Sequence, residues 1–383
     1  MAMTSKQRAR VALEGGIPDM VPLGDFSIDA DTVERIVGHP TYVRAKARCQ
    51  IAYWEGRRDE VVQNLIEDTI ALFRKLDCYD IINLCAMTLG LVPPTGYQPE
   101  APRRVDDVTW EYADGRVLRY SEITADLTLV HDPQEWTRPY SPEDYPLEWQ
   151  AKAPDPSVFE LVDAVVEEFG EERFIIGPYP LAAEWVQLGT MQRTLLEMAE
   201  RPDLVERAAR SSMALAAAQQ RAWPARPFDA VMDGTDFAYK SGTFMSPQAW
   251  WRVCYPPLAA NVQAAHDAGL LFVQHACGNN QRILDGFLQA GIDAYQSIQA
   301  SAGMDLAQVK EQARGRMAVW GGVPVEHLVD GTPDQVRRDV RDAVARAKPG
   351  GAFVMGSTHS IAIGTKYDCF MAMLDEFEKL RDY

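Results

Sequence analysis

A histidine and a cysteine two residues apart, at the end of an apolar run, are the chemistry-bearing pair that stands out in this chain. Residues Leu270–Gly278 read LLFVQHACG. In a β-strand, side chains two apart share a face. His275 and Cys277 therefore project together from the end of a buried strand. An imidazole nitrogen and a thiolate side by side suit a soft divalent metal, zinc above all. Catalytic zinc takes three protein ligands, and this segment supplies two. Taken alone, it also fits a core histidine beside a core cysteine that binds nothing. A Cys277 nucleophile with His275 as its base is a further alternative, although parallel side chains favour joint coordination over proton transfer.

The elements that must position such a pair are legible as short apolar runs alternating with amphipathic stretches. Strand candidates are Met20–Gly24, Tyr79–Leu84, Arg173–Gly177, Asp229–Asp233, Leu270–His275, Ile292–Gln296, Arg316–Gly321 and Ala352–Ser357. Most precede a segment of helical period. After Thr332, for example, Pro333 suits a first helical turn, and Val336, Val340 and Val344 fall on one face. Eight β-then-α units predict an α/β fold, a (β/α)8 TIM barrel. The open doubly wound sheet is the alternative, but no glycine-rich phosphate turn accompanies it. The chain reads as a single domain over residues 1–383 with two elaborations. Residues about 95–150 carry TWEYADGRVLRYSEI, a β-hairpin signal around Asp114-Gly115, inserted after the second strand. A helical elaboration, roughly residues 40–75, precedes that strand.

Composition limits the partners. The chain has 383 residues, 47% of them hydrophobic, and a formal net charge of −17. That acidity argues against nucleic acid and against an anionic membrane surface. No apolar run approaches the roughly 18 residues of a spanning helix. The N-terminal stretch MAMTSKQRARVALEGG is basic but lacks the apolar core of a signal peptide, and reads as an amphipathic helix. Cys49, Cys78, Cys85, Cys254, Cys277 and Cys369 follow no regular spacing, which predicts reduced thiols in a cytoplasmic protein.

Chemistry in such a barrel gathers at the C-terminal ends of the strands. Those ends and the loops beyond them offer Asp80 and Asn83, Tyr179 and Glu184, Asp236 and Tyr239, Gln299, Trp320 and His359. His359 makes a second histidine on the expected face. Glu184 and Asp236 are candidate oxygen ligands or acids, and Tyr179 and Tyr239 candidate proton donors. Asp80, Asn83, Trp185, Gln299 and Trp320 are candidate substrate contacts.

From about Asp229 onward the chain resembles the uroporphyrinogen decarboxylase-like superfamily. The matching runs are FDAVMDGTDFAY, SGTFMSPQAWW, LLFVQHACGN, AGIDAYQSIQASAGMDLAQVK, RMAVWGGV and GGAFVMGSTHSI. Weaker similarity covers ARVALEGGIPDMVPLG and LLEMAERPDLV. The resemblance implies a (β/α)8 barrel, in agreement with the strand count. True uroporphyrinogen decarboxylases carry an Arg-Gln-Ala-Gly-Arg-Tyr element after the first strand, whose arginines grip carboxylates. Here the stretch from Gly24 reads GDFSIDADTVERIVG, acidic and without that pair. Asp80 falls where those enzymes keep a pyrrole-binding aspartate. The other branch of the superfamily, the corrinoid-dependent methyltransferases and O-demethylase components, uses a His-x-Cys after the fifth strand and a further ligand after the eighth. That branch implies Zn2+ on His275, Cys277 and His359, the last standing where the coenzyme M enzymes have cysteine. It implies a methoxylated, aromatic methyl donor and a corrinoid carried by a partner protein. The chain is compatible with a homodimer. A decarboxylase or lyase acting on a small carboxylated substrate, and a non-catalytic corrinoid- or tetrapyrrole-binding protein, are the competing expectations.

Overall fold

The computed structural model describes residues 3–85 and 91–383. Strand β1 (Ile81–Asn83) begins the main sheet. The insertion that follows supplies β2 (Arg103–Arg104), β3 (Thr109–Glu111), β4 (Val117–Ser121) and β5 (Asp126–His131). The main sheet resumes with β6 (Phe174–Ile176) and β7 (Ala230–Asp233). A short hairpin of β8 (Ala238–Tyr239) and β9 (Gly242–Thr243) precedes β10 (Leu271–Ala276), β11 (Ala294–Ser297), β12 (Ala318–Val323) and β13 (Phe353–Ser357). The main sheet runs β1-β6-β7-β10-β11-β12-β13, every pair parallel.

The eighth stave is the segment around Leu23, which joins the two edges of that sheet. Gly24 N donates to Met355 O (3.0 Å), and Met355 N donates to Pro22 O (2.9 Å). On the other side Ile81 N donates to Leu23 O (3.1 Å). Leu23 bridges Met355 in parallel, but no ladder extends from it. Pro22 has no N–H to give one. The barrel is thus closed, with one stave too irregular to form a strand.

Inward side chains fill the barrel at alternate positions. Ile81, Phe174, Ile176, Met232, Val273, Trp320 and Val354 pack with Ala9 and Leu13 of the helix Ser5–Leu13. That helix plugs the end of the barrel from which the strands start. The basic charge read in the N-terminal stretch serves this docking. Arg8 meets Asp80 at 2.6 Å, and Arg10 and Lys6 meet Asp229 at 3.0 and 3.2 Å. Both aspartates lie just before their strands. The expected cap at Thr332 is present, its hydroxyl accepting from Gln335 N, with Val336, Val340 and Val344 buried.

The expected hairpin is the middle of a four-stranded antiparallel sheet, β2-β3-β4-β5. Its turn holds Gly115 at φ +87, and Asp114 accepts from Arg116 N. The sheet rests on the helix Lys46–Trp54, where Trp110 is buried against Trp54 with ring centroids 6.2 Å apart. Among the described residues no helix is long and apolar enough to cross a membrane. All six cysteines are free thiols.

Asp25 ties the first stave to the last. Its carboxylate accepts from Tyr79 Oη (2.5 Å) and Ser357 N (2.7 Å). Burial outweighs those bonds and raises its pKa to about 6. The native state therefore binds this proton more tightly than the unfolded chain does. The stability it contributes is full below about pH 4 and is lost as pH rises through about 6, in all about 3 kcal/mol. Urea unfolding at pH 5 and pH 8 checks this. The wild type loses stability between them, and Asp25→Asn flattens that slope; parallel profiles contradict the assignment.

Candidate metal centre

Strand period carries the first ligand to the barrel mouth. Val273 faces the barrel interior, so His275, two residues on, points the same way at the end of β10. Cys277 follows it in the loop. His359 arrives from the other side, just after β13. One ligand atom from each of His275, Cys277 and His359 can be chosen so that all three lie within 4.8 Å of one another. A tetrahedral ion with bonds of about 2.0–2.3 Å keeps its ligands roughly 3.3–3.8 Å apart. The His275 Nε2 to Cys277 Sγ separation, 3.4 Å, already has that value.

Gln296 fixes the tautomer of His275. Its Nε2 donates to Ser357 O (3.2 Å), and a carbonyl can only accept. Its Oε1 is thereby turned to His275 Nδ1, which it meets closely. Nδ1 must carry the proton, which leaves the Nε2 lone pair facing Cys277. Ligand histidines are commonly held in this way, and losing the outer partner costs about 10–100-fold in metal affinity. Gln296→Leu is expected to weaken zinc binding by that factor in a chelator competition, with an unchanged circular dichroism spectrum. Wild-type affinity in this variant sinks the assignment.

Burial sets the protonation states. It lowers the pKa of His275 to about 4, against a smaller opposing effect of Gln296. It lowers His359 likewise to about 4, helped by the neighbouring His275. Burial, then the charge of Asp236, pushes the Cys277 thiol up to about 12. Two neutral imidazoles are what a metal needs, and a bound divalent cation is what turns such a thiol into a thiolate. As a metal-free nucleophile the pair is poor, because proton transfer from Cys277 to His275 runs steeply uphill. The donor set fits zinc.

The frame around the triad is tight. Phe26 stacks on His275 (centroids 3.9 Å, planes at 24°) and lies 6.1 Å from His359. Ser297 Oγ donates to Thr358 O (2.7 Å) and sits 3.6 Å from Cys277 Sγ. Ser297 itself has φ +108, a conformation that costs a non-glycine residue of order 1–3 kcal/mol and is found mainly at functional sites. Gly278 has φ +82, and a Cβ there would fall 2.3 Å from Ala238 O. Only glycine lets the loop after Cys277 lie against the β8–β9 hairpin.

The remaining candidates divide into four groups. Asp236, Gln299 and Asn83 support the triad. Asp236 accepts from Cys277 N (2.6 Å) and Gln299 from Gly278 N (3.1 Å). Asn83 donates to Phe26 O (2.9 Å), holding the ring that stacks on His275. Tyr239 lies on the hairpin beside this loop, half exposed, with Phe244 against its ring. Glu184, Trp185 and Tyr179 lie elsewhere. Glu184 is fully buried near Asn261 and Gln274, and burial plus Asp233 raise its pKa well above the carboxylate range. Neither it nor Asp236 joins the ligand cluster among the described residues. Trp185 is buried against Phe244. Tyr179 lines another cleft, with Cys85, Leu91, Pro180 and Trp223.

Asp80 and Trp320 are committed to structure rather than to substrate. Asp80 is buried at the plugged end of the barrel, opposite the triad, between Arg8 and Arg381 (2.6 and 2.5 Å), and accepts from Leu23 N. Trp320 is fully buried within the barrel, its Nε1 donating to Gly24 O (2.8 Å). Phe26, Gln296 and Ser297 are the site residues to which sequence reasoning gave no role. Gln296 was legible as a strand-end position; its partners, distant in the chain, were not.

Residues 138–380, more than half of the chain, match the uroporphyrinogen decarboxylase (URO-D) family. The chain belongs to the URO-D family. Its fold extends over the full length of a solved relative, a methyltransferase from Methanosarcina mazei. The two share 18% identity at a TM-score of 0.63, over 98% of this chain and 99% of that one. A lesser likeness, TM-score 0.31 at 13% identity, links 58% of this chain to 82% of 3-keto-D-glucoside 4-epimerase YcjR from E. coli. No curated protein matches the sequence. Within the URO-D family, then, this member has a closed barrel whose mouth carries a His/Cys/His cluster.

Proposed function

We propose that this URO-D family member is a methyltransferase that moves a methyl group from a methoxylated aromatic donor to the Co(I) corrinoid of a partner protein. The observation that carries the reading is the convergence of His275, Cys277 and His359 at the mouth. The full-length likeness in fold to a protein described as a methyltransferase supports it. Tetrapyrrole decarboxylation is disfavoured on two counts. The stretch from Gly24 to Gly38 holds Asp25, Asp29 and Asp31 and no arginine pair. Asp80 is bound by two arginines at the wrong end of the barrel.

The reaction is an in-line displacement at a methyl carbon. The carbon–oxygen bond of the donor breaks as the bond to the acceptor forms, and the departing oxygen gains negative charge. Such a phenoxide has a conjugate-acid pKa near ~10, by comparison with tyrosine. His275, Cys277 and His359 would hold a zinc ion, which would supply a Lewis acid for that oxygen. The chain's own groups do the rest. Gln296 keeps the His275 lone pair aimed at the centre, and Phe26 walls one side of it with an apolar face. Tyr239, and Asp236 once it takes up a proton, are the side chains beside the Cys277 loop placed to hold a proton near the leaving oxygen. The end of the barrel where the triad converges is the face the corrinoid protein would cover.

The test is to incubate the zinc-loaded chain with Co(I) corrinoid and a panel of methoxylated aromatics. A methyl-Co(III) spectrum with at least one donor is expected. Its absence with every donor removes the proposal, and carbon dioxide release from a small acid in its place selects the lyase reading.

A further inference from the structure

A cavity of about 740 Å3 lies between the inserted sheet and the helices Ala30–Val37 and Lys46–Trp54. None of the triad lines it. Its volume is that of a small-molecule site, and Trp54, Trp110 and Tyr120 give it three aromatic rings. The two indoles meet as a corner, centroids 6.2 Å apart with planes inclined at 45°.

Charge selects the ligand. The lining holds the acids Asp31, Glu34, Glu55 and Asp107 against the bases Arg48 and Arg104. Both arginines are already engaged, Arg48 by Glu34 (2.6 Å) and Arg104 by Asp107 (3.2 Å). Asp31 accepts from the backbone of Gly364 (2.7 Å) and Thr32 (2.9 Å). No arginine, lysine or histidine forms an ion pair with it among the described residues. The Arg104 guanidinium lies 5.8 Å from the Trp110 ring centroid, so this wall already presents an aromatic face to a cation. An anionic ligand would meet an acidic wall. A bare divalent cation needs several converging oxygens, but Glu34, Asp107 and Glu55 are paired with Arg48, Arg104 and Arg57, which leaves the Asp31 carboxylate beside three rings. An ammonium whose charge is spread over alkyl groups needs no hydrogen bonds and is attracted by ring faces and by one carboxylate together.

We propose that this cavity binds a small alkylated ammonium ion, its charge opposite Asp31 and its alkyl groups on Trp54, Trp110 and Tyr120. The site is separate from the metal centre, since none of His275, Cys277 and His359 lines it. The bond from Gly364 to Asp31 joins the cavity wall to the loop that carries His359.

Calorimetric titration of the full chain tests this with choline and with 3,3-dimethylbutan-1-ol, a neutral molecule of the same shape. Choline is expected to bind at about one site per chain and about tenfold or more tighter than the alcohol. Asp31→Asn weakens choline by about tenfold and leaves the alcohol unchanged. Trp110→Ala removes binding, and Asp31→Asn decides the matter if that variant loses the inserted sheet by circular dichroism. Cys277→Ser binds choline like the wild type, so failure of the metal reading does not touch this one. Equal affinity for the two probes, no binding of choline to the wild type, or an Asp31→Asn variant that binds choline as before each overturns it.

Discussion

Cys277→Ser is expected to lower zinc from about one ion per chain to a trace and to reduce methyl transfer at least about 10³-fold. That loss is the equivalent of several kcal/mol of transition-state stabilisation. The reasoning starts from the ligand set. Cys277 is the one soft anion in it, and its partners are two neutral imidazoles. A serine hydroxyl does not deprotonate readily enough to replace a thiolate, and Asp236 already accepts from Cys277 N. The fold has little stake in the sulfur, whose polar neighbours are Ser297 Oγ and His275 Nε2. The variant should therefore unfold at the same denaturant concentration as the zinc-free wild type. Metal analysis with a steady-state assay checks both halves. A Cys277→Ser chain that keeps its zinc and its rate contradicts the site.

Asp80→Ala is expected to cost about 3–5 kcal/mol of stability, the penalty for stranding buried charge by removing its partner. Arg8 and Arg381 are both nearly buried and both point at this carboxylate, which also accepts from Leu23 N in the irregular stave. Against a total stability of typically 5–15 kcal/mol, that is a large share. The plug helix Ser5–Leu13 keeps Arg8–Asp19 and Arg10–Asp229, so a folded population remains. Because Asp80 lies at the end remote from the triad, the variant should retain zinc and the wild-type KM for its donor. Urea denaturation beside a zinc assay separates the two roles. Unchanged stability with a raised KM restores Asp80 as a substrate contact.

The fate of Asp80 and Trp320 shows where sequence reading stops. Both were placed at the mouth because a run of apolar residues does not mark its own ends to within two positions. The run from Tyr79 to Leu84 forms a strand only at Ile81–Asn83, so Asp80 precedes it and faces the plugged end. The run Arg316–Gly321 is shifted, the strand being Ala318–Val323, so Trp320 sits one layer down inside the barrel. A displacement of one or two residues moved each side chain to a different part of the molecule.

Other features were legible because they are local. The two-residue period put His275 and Cys277 on one face at a strand end, and the order of eight runs pointed to the barrel. Thr332, Pro333 and the three valines gave their helix. The Asp114-Gly115 turn marked a hairpin, but the outer strands β2 and β5 are short or lie on exposed sheet and carry little pattern. Met20–Gly24 was read as a strand on hydrophobicity, and it does close the barrel, with Pro22 limiting its ladder. Gln296, Phe26 and Ser297 act through partners tens to hundreds of residues away, and no window of sequence contains those pairs. Glu184 illustrates the converse. An acid near a strand end looks chemical, yet this one is sealed within the protein beside Asn261 and Gln274.

X-ray absorption at the zinc edge of the loaded wild-type chain addresses the metal centre most directly. One sulfur at about 2.3 Å and two imidazole nitrogens at about 2.0–2.1 Å are expected, with a light atom from solvent or substrate in the fourth position. A shell of oxygen and nitrogen without sulfur, or one histidine in place of two, means that His275, Cys277 and His359 do not share an ion.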